Sequence, residues 1–226
     1  MNKRSLQPFL VVLSAAVIPM LSVGQTVTLD NLEKLRAINV STDVSVHEGR
    51  TAVHVTDAGF EAAGEDRLVI IDGLQFQDGV IEIDLAGSLG SHAGAGARGF
   101  VGVAFRVATD LSGFEAFYLR PTNGRADDQL RRNHSAQYFS YPEYSWRRLR
   151  EETPGMYESY VDLAPGEWTH VKIEVAGDQA RLYVHGSEQP SLIVNDLKLE
   201  SATGAIGLWI GPGTDAYFND LKVTAR

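Results

Sequence analysis

The chain contains no cysteine. Without thiols it cannot form disulfides, attack a substrate through a thiolate, or hold zinc through sulfur ligands. Its stability must therefore come from a hydrophobic core. A single domain of about 200 residues can bury roughly 70% of the surface of its unfolded chain. Length and composition together predict one domain.

Two catalytic signatures are also missing from the sequence. There is no Gly-x-Ser-x-Gly elbow that would place a nucleophilic serine, and the six histidines are scattered without a His-Glu-x-x-His pattern. Serine nucleophilic chemistry and a catalytic zinc ion therefore have no support in the sequence.

Basic charge is scarce, with 20 lysines and arginines against 29 aspartates and glutamates and a net charge of −9. Binding to phosphate groups requires a basic surface. The sequence thus disfavours nucleic acids and anionic membranes as main partners.

The N-terminus has the features of a secretory signal peptide. Lys3 and Arg4 precede an apolar run, and small residues Ser22 and Gly24 stand before a cleavage point at Gln25. The alternative is a membrane anchor, but the run is short, contains Pro19 and has no basic stop after it. We predict a signal peptide over residues 1–24 and a mature domain over 25–226. That domain would be secreted or periplasmic, free of membrane, with a net charge of −11 because residues 1–24 carry two basic and no acidic side chains.

Short β-rich runs separated by Gly, Pro, Asn or Asp fill the chain from residue 66 onward. In WTHVKIEV, residues 168–175, one face carries Thr169 and three apolar side chains while the other is mostly polar, a period of two that is typical of a half-buried antiparallel strand. Gly177-Asp178 and a second alternating run complete a hairpin. The one helix we predict is short, over Leu29–Ala37 with Asp30 as its cap. The sequence therefore predicts an all-β, two-sheet antiparallel sandwich.

A glycine-rich stretch, GSLGSHAGAGARG, covers residues 87–99. It contains Gly94-x-Gly96-x-x-Gly99, the spacing of a dinucleotide-binding turn, but that motif must open a helix and this one leads into the strand-like run FVGVAFRV. We interpret the stretch as a flexible loop between two strands.

The order of the strand phrases identifies a family resemblance. FQDGVIEIDL, GFVGVAFR, GFEAFYLRP, GEWTHVKIEVAGDQARLYVHG and GAIGLWIGPGTDAYFNDLKV follow one another between residues 66 and 226. In this order they resemble the concanavalin A-like lectin/glucanase superfamily. Within it they are most similar to laminin-G-like modules and to the 3-keto-disaccharide hydrolase domain family of secreted bacterial proteins. The resemblance implies a jelly roll whose concave face and rim loops hold a ligand.

What the resemblance implies about residues is less specific. Arg106, Glu115 and Arg120 are candidates for the concave face, since polar side chains alternate along their strands. We predict no cofactor. By analogy with related folds a structural calcium ion is allowed for, to which Asp215 or Asp220 would contribute oxygen ligands.

Glycoside hydrolysis normally uses a pair of carboxylates. Glu82 and Asp84 share one face of a strand, as in laminarinase-type glucanases, but Ala86 and Gly87 stand where those enzymes have a further glutamate. We therefore assign both carboxylates to the solvent face of an outer strand.

Residues 129–152, QLRRNHSAQYFSYPEYSWRRLREE, concentrate five arginines and five aromatic residues in an acidic chain. Aromatic rings stack on sugar rings while guanidinium and amide groups bond sugar hydroxyls, so this composition is typical of a carbohydrate site. We predict an insertion between strands at the rim of the concave face. Alternatively, the aromatic residues anchor a long loop and the arginines pair with Asp127, Asp128, Glu151 and Glu152. Phe139 and the arginines of 147–150 would then be structural members. The predicted ligand-binding residues are Arg106, Arg120, Gln129, Arg131, Arg132, Asn133, His134, Gln137, Tyr138, Tyr144 and Trp146.

Three functions are compatible with these features. The first is binding of carbohydrate, with an acidic or sulfated glycan favoured by the arginines. The second is a small glycan-processing enzyme, a 3-keto-disaccharide hydrolase or a lyase, with His134, Asp128 or Glu143 as acid or base. The third is a non-catalytic adhesion or assembly module that binds a protein partner through the same cluster.

Overall fold

A computed structural model describes residues 23–57 and 66–226. The predicted signal peptide lies outside these residues apart from Val23 and Gly24. Within the described part of the chain, no helix is long and apolar enough to cross a membrane.

Strands make up most of the described chain. The strands are β1 (Val23–Val27), β2 (Leu35–Ile38), β3 (Val40–His47), β4 (Arg50–Asp57), β5 (Leu68–Phe76), β6 (Gly79–Leu89), β7 (Val101–Val107), β8 (Phe114–Leu119), β9 (Ala136–Tyr141), β10 (Glu158–Ser159), β11 (Thr169–Ala176), β12 (Gln179–Val184), β13 (Leu192–Val194), β14 (Gly204–Ile210) and β15 (Thr214–Ala225). The helices are α1 (Pro121–Gly124), α2 (Gln129–Asn133) and α3 (Trp146–Glu152).

The strands form two antiparallel sheets. The eight-stranded sheet has the order β13-β12-β11-β6-β15-β4-β3, with β1 also paired to β15, and the seven-stranded sheet has the order β10-β9-β8-β7-β14-β5-β2. The two-sheet antiparallel sandwich predicted from the sequence is confirmed.

The core lies between the sheets and follows from the alternation along the strands. In β11 the side chains of Val171, Ile173 and Val175 are buried, whereas Lys172 and Glu174 point away from the core, as the sequence predicts. From the other sheet Phe76, Phe105 and Phe117 meet in ring contacts, with Phe105 and Phe117 stacked at 6.2 Å. The eight-stranded sheet therefore has a polar outer face.

The predicted helix over Leu29–Ala37 is wrong. Residues 32–34 form a turn, and Leu35–Ile38 become β2, which pairs with β5 from Leu35–Ile71 to Ile38–Leu68. A nine-residue helix is marginal in water, whereas a strand at the edge of a sheet gains ladder hydrogen bonds and buries its apolar side.

The interpretation of residues 129–152 as an irregular insertion is also wrong. The segment contains helix α2, the buried strand β9 and helix α3, and β9 pairs with β8 along its whole length. Both faces of β9 are buried, so its sequence AQYFSY does not alternate in polarity and gives no clear strand signal. Two side chains cap the helices, Asp128 accepting from the Arg131 amide and Ser145 from the Arg148 amide.

One buried carboxyl group ties the edge of the seven-stranded sheet to the loop before β14. Glu115 is fully buried and accepts hydrogen bonds from the Tyr138 hydroxyl at 2.5 Å and from the Leu199 amide at 2.8 Å. The Tyr138 hydroxyl in turn accepts from the Lys198 amide at 3.0 Å. Burial raises the pKa of Glu115. Glu115 therefore points into the core and not toward a ligand face.

Replacing Glu115 by alanine should destabilise the fold by about 3 kcal/mol, because it leaves the Tyr138 hydroxyl and the Leu199 amide buried without their acceptor. Urea denaturation followed by tryptophan fluorescence measures the change. The matched control is Glu143→Ala, since the Glu143 side chain is 76% exposed and should change the unfolding free energy by no more than about 0.5 kcal/mol. Equal stability of the two variants would contradict the assigned role.

Candidate functional site

The outer face of the seven-stranded sheet carries a continuous layer of aromatic rings. Tyr118 lies 4.9 Å from Trp209 and 5.6 Å from Phe139, and Phe139 lies 5.2 Å from Trp209. Phe114 extends the layer through Phe139 at 5.7 Å. This sheet therefore carries aromatic side chains on both faces. The outer layer is itself buried and contacts the candidate site through Phe100, which lies 6.0 Å from Tyr118.

A glycine makes the close packing of this layer possible. Gly102 of β7 pairs with Tyr118 on one side and Trp209 on the other. A Cβ atom at this position would lie 2.2 Å from the Phe117 carbonyl oxygen and 2.6 Å from the Tyr118 Cβ atom. The missing side chain lets the two large rings meet across β7.

Arg120 lies at the end of the aromatic layer and is 4% exposed. Its guanidinium donates to the His134 carbonyl oxygen at 2.8 Å, to Gln137 Oε1 at 2.5 Å and to the Tyr118 hydroxyl. Burial lowers the pKa of Arg120 from its usual range. These bonds join the ends of β8 and β9 to the connection between them.

A second arginine meets the first at Gln137. Arg150 Nη2 donates to Gln137 Oε1 at 3.3 Å and to Glu158 Oε2 at 2.7 Å. The Glu158 side chain is 4% exposed, and its Oε2 lies 2.7 Å from Nδ1 of His134, which is within ion-pair distance. Burial lowers the pKa of His134, so its neutral form is favoured near neutral pH. The imidazole ring therefore lies beside a buried carboxylate.

Two recesses flank these residues. The first, which we call the rim cleft, has a volume of about 830 Å³ and lies where the glycine-rich loop after β6 meets the turn before β15. Phe100 and Trp146 contribute its aromatic side chains. Its polar lining comes from Ser41, Thr56, Asp57, Arg67, Ser91, His92, Thr214 and Asp215.

The second recess, which we call the His134 recess, has a volume of about 560 Å³. Its lining residues are Leu130, Asn133, His134, Arg150, Pro154, Gly155, Glu158, Ser159 and Tyr160. The structure therefore brings Trp146 to one recess and both Asn133 and His134 to the other.

Five arginines between residues 98 and 147 have no carboxylate within ion-pair distance among the described residues, and none of the five lines either recess. We call them the guanidinium cluster. Arg147 lies over the Trp146 ring at 5.5 Å and Arg132 over the Tyr160 ring at 5.0 Å. The cluster comprises Arg98, Arg120, Arg131, Arg132 and Arg147. By contrast, Arg148 pairs with Glu152 at 2.8 Å, so part of segment 129–152 stabilises itself, as the alternative interpretation expected.

Arg106 lies away from both recesses. It has a φ of 52° at a point where the pairing of β7 with β14 shifts register, so the regular alternation is reset there. Its buried guanidinium donates to the Gln77 carbonyl oxygen, to Asp78 and to the Gly177 carbonyl oxygen. Arg106 therefore connects the two sheets.

Several other predicted ligand-binding and catalytic residues also make contacts within the protein. Tyr138 is fully buried beside Glu115, Tyr144 is covered by Arg148 at 4.3 Å, and Gln129 bonds Asn133 on the surface of α2. Asp128 caps α2, and Glu143 is exposed in a turn. Neither carboxylate lines a recess with His134.

The carboxylates of the eight-stranded sheet are engaged in ion pairs on its outer face. Asp84 binds Arg50 and His170, Asp220 binds Arg50, and Asp215 lies 2.9 Å from His54. Across residues 23–57 and 66–226, no three His, Cys, Asp or Glu side chains are grouped to hold a metal ion.

Sequence reasoning missed the contribution of the glycine-rich loop. This loop joins β6 to β7, as predicted, but it also brings Ser91 and His92 to the rim cleft opposite Trp146. Gly94 and Gly96, where an added Cβ would meet nothing within 4 Å, keep that side of the cleft open. Polar residues inside a glycine-rich stretch beside a strand end were the available signal.

The fold of the chain is similar to the folds of several solved structures. No family model and no curated protein match the sequence. Among solved structures, the carbohydrate-binding module CBM66 from Bacillus subtilis is 15% identical with a TM-score of 0.57, covering 84% of this chain and 95% of that one. A putative glycosyl hydrolase from Parabacteroides distasonis is 13% identical with a TM-score of 0.52, covering 89% of this chain and 100% of that one.

A third similar structure is a β-glucanase from Bacillus licheniformis, 14% identical with a TM-score of 0.51, covering 90% of this chain and 98% of that one. At these identities the similarity concerns the backbone and assigns no residue. It agrees with the sandwich of two antiparallel sheets described above. The chain has the concanavalin A-like jelly-roll fold.

Proposed function

We propose that this protein binds carbohydrate in the rim cleft and that its preferred ligand is an acidic glycan. The observation that carries the proposal is the position of Trp146, a half-buried ring that lines the cleft and is surrounded by arginines. A ring of this kind stacks on the apolar face of a sugar, while the polar lining of the cleft offers partners for hydroxyl groups. The carbohydrate-binding and hydrolase structures of the same fold agree with a glycan partner in general.

The charge around the site supports an acidic ligand. The chain as a whole carries −9, yet the guanidinium cluster has no carboxylate partners among the described residues. Guanidinium groups bind carboxylate and sulfate through paired N–H donors. A uronate or a sulfated sugar would therefore supply the anions that the protein itself does not.

Binding is favoured over hydrolysis by the state of the carboxylates in the recesses. Asp57 accepts from Arg67 and from the Gly213 amide, Asp215 from His54, and Glu158 from Arg150. Glycoside hydrolysis needs two carboxyl groups facing one bond, one of them available as an acid. Each of these three is instead engaged with a basic partner.

We also propose that the protein is exported, on the strength of the N-terminal charge pattern of Lys3, Arg4 and the apolar run that follows. Expression of residues 1–226 in a Gram-negative host should give a periplasmic protein whose N-terminus, measured by mass spectrometry, is Gln25. A protein that keeps Met1 and stays in the cytoplasm would contradict export.

Trp146→Ala should weaken binding to acidic oligosaccharides at least about tenfold, because it removes the stacking surface of the rim cleft. Isothermal titration calorimetry against a panel of neutral and acidic oligosaccharides measures the loss. The matched control is Trp168→Ala. Trp168 is also half-buried and also lies under an arginine, Arg50 at 4.5 Å, but it lines neither recess. Equal affinities of wild type and Trp146→Ala, both folded, would overturn the site.

Arg147→Ala should lower affinity for an acidic oligosaccharide about fivefold and leave a neutral one unchanged, since one exposed charge contributes up to about 1 kcal/mol. The difference between the two ligands should shrink as salt is added, because exposed charges are screened. Arg181→Ala on β12 removes an equally exposed charge from the other sheet and serves as control. If both arginine variants behave alike, the preference for acidic glycans is wrong.

A further inference from the structure

The two recesses are separated by one pair of side chains. Trp146 and Arg150 lie four residues apart on α3 and thus on the same face of the helix. The Arg150 guanidinium carbon lies 5.0 Å from the Trp146 ring centroid. Trp146 lines the rim cleft and Arg150 lines the His134 recess. A single stacked pair, the Trp146–Arg150 ridge, therefore forms the boundary between two spaces on the same side of the sandwich.

The His134 recess has its own aromatic surface. The Tyr160 side chain is partly open to solvent, with the residue 41% exposed. Arg132 donates to its hydroxyl at 2.8 Å and lies over its ring at 5.0 Å, which fixes the ring without covering it. Leu130, 67% exposed, adds apolar surface beside it. A fixed, exposed tyrosine next to polar groups is suited to stacking on a sugar ring.

Contacts with neighbouring side chains position the polar groups of the His134 recess. Arg150 donates to Glu158 through Nε at 3.1 Å and Nη2 at 2.7 Å. Glu158 Oε2 lies 2.7 Å from Nδ1 of His134, a close contact that does not have hydrogen-bond geometry. The other ring nitrogen, Nε2, has no partner among the described residues and is not buried. The Asn133 Oδ1 atom accepts from Gln129, which orients the Asn133 amide group. The imidazole and the amide thus form a prepared set of hydrogen-bonding groups.

We propose that the His134 recess is a second subsite for the glycan chain that occupies the rim cleft, so that the ligand is an oligosaccharide which crosses the Trp146–Arg150 ridge. The inference rests on the proposed function. It adds that the protein recognises a glycan segment of several sugars rather than a single sugar. Arg147 of the guanidinium cluster lies over the Trp146 ring and Arg132 lies over the Tyr160 ring, so a chain with repeated anionic groups would meet a cation beside each ring.

The experiment compares ligand lengths. Oligomers of two, four and six sugars prepared from polygalacturonic acid and from chondroitin sulfate are titrated into the full mature chain by calorimetry. Wild-type affinity should rise with length for one of the two series. Tyr160→Ala should remove most of that gain, lowering affinity for the six-sugar ligand about fivefold or more and leaving the two-sugar ligand unchanged.

Two further variants keep the test decisive. His134→Ala changes the recess by another route and should act like Tyr160→Ala, whereas Tyr217→Ala, on the outer face of the other sheet, should match wild type. If Trp146→Ala weakens every ligand but Tyr160→Ala and His134→Ala leave the gain with length intact, the second subsite is wrong and the proposed function stands. If no acidic oligomer binds, or Trp146→Ala is without effect, the proposed function fails and the subsite fails with it.

Discussion

The buried guanidinium of Arg120 is the constraint on which the candidate site depends. A charge taken out of water is costly unless its donors are bonded, and no carboxylate among the described residues lies within ion-pair distance of this one. Its acceptors are a backbone carbonyl oxygen, an amide oxygen and a phenol, which belong to the connection before β9, to β9 and to β8. Satisfying Arg120 thus positions Gln137, and Gln137 positions Arg150, whose ring partner is Trp146. These shared bonds therefore connect a lining residue of the rim cleft, Trp146, with a lining residue of the His134 recess, Arg150.

The sequence was sufficient for the fold wherever one face of a strand is solvated. In β11 and β12 the alternation of polarity directly reports the two faces, and the hairpin was predicted from it. In β9 both faces are buried, Gln137 and Ser140 included, because the outer face of the seven-stranded sheet is covered by aromatic rings. A strand with no solvated face has no period of two to detect, and segment 129–152 was consequently assigned to an irregular insertion.

The site was predictable in composition but not in arrangement. The excess of arginine and aromatic residues near Trp146 was visible in the sequence, and Trp146, Asn133 and His134 do line recesses. Which arginines would be paired depended on tertiary partners: Arg150 meets Glu158, which follows it by eight residues, whereas Arg147 meets no carboxylate among the described residues. The case of Arg106 shows a different limit, because a shift in strand register redirected its side chain and no local pattern announces such a shift.

The distribution of charge between the two faces explains how an acidic protein could select an acidic ligand. Asp57 and Asp215 line the rim cleft, but each is paired with a basic side chain, Arg67 and His54 respectively. Other carboxylates of the eight-stranded sheet, such as Asp84, lie on its outer face and line neither recess. At physiological salt the Debye length is about 8 Å, so exposed charges farther away than this are largely screened from a ligand in the cleft. Under the proposed function, the surplus of negative charge elsewhere would disfavour non-specific adhesion to polyanions and would confine attraction to chains that fit the recesses.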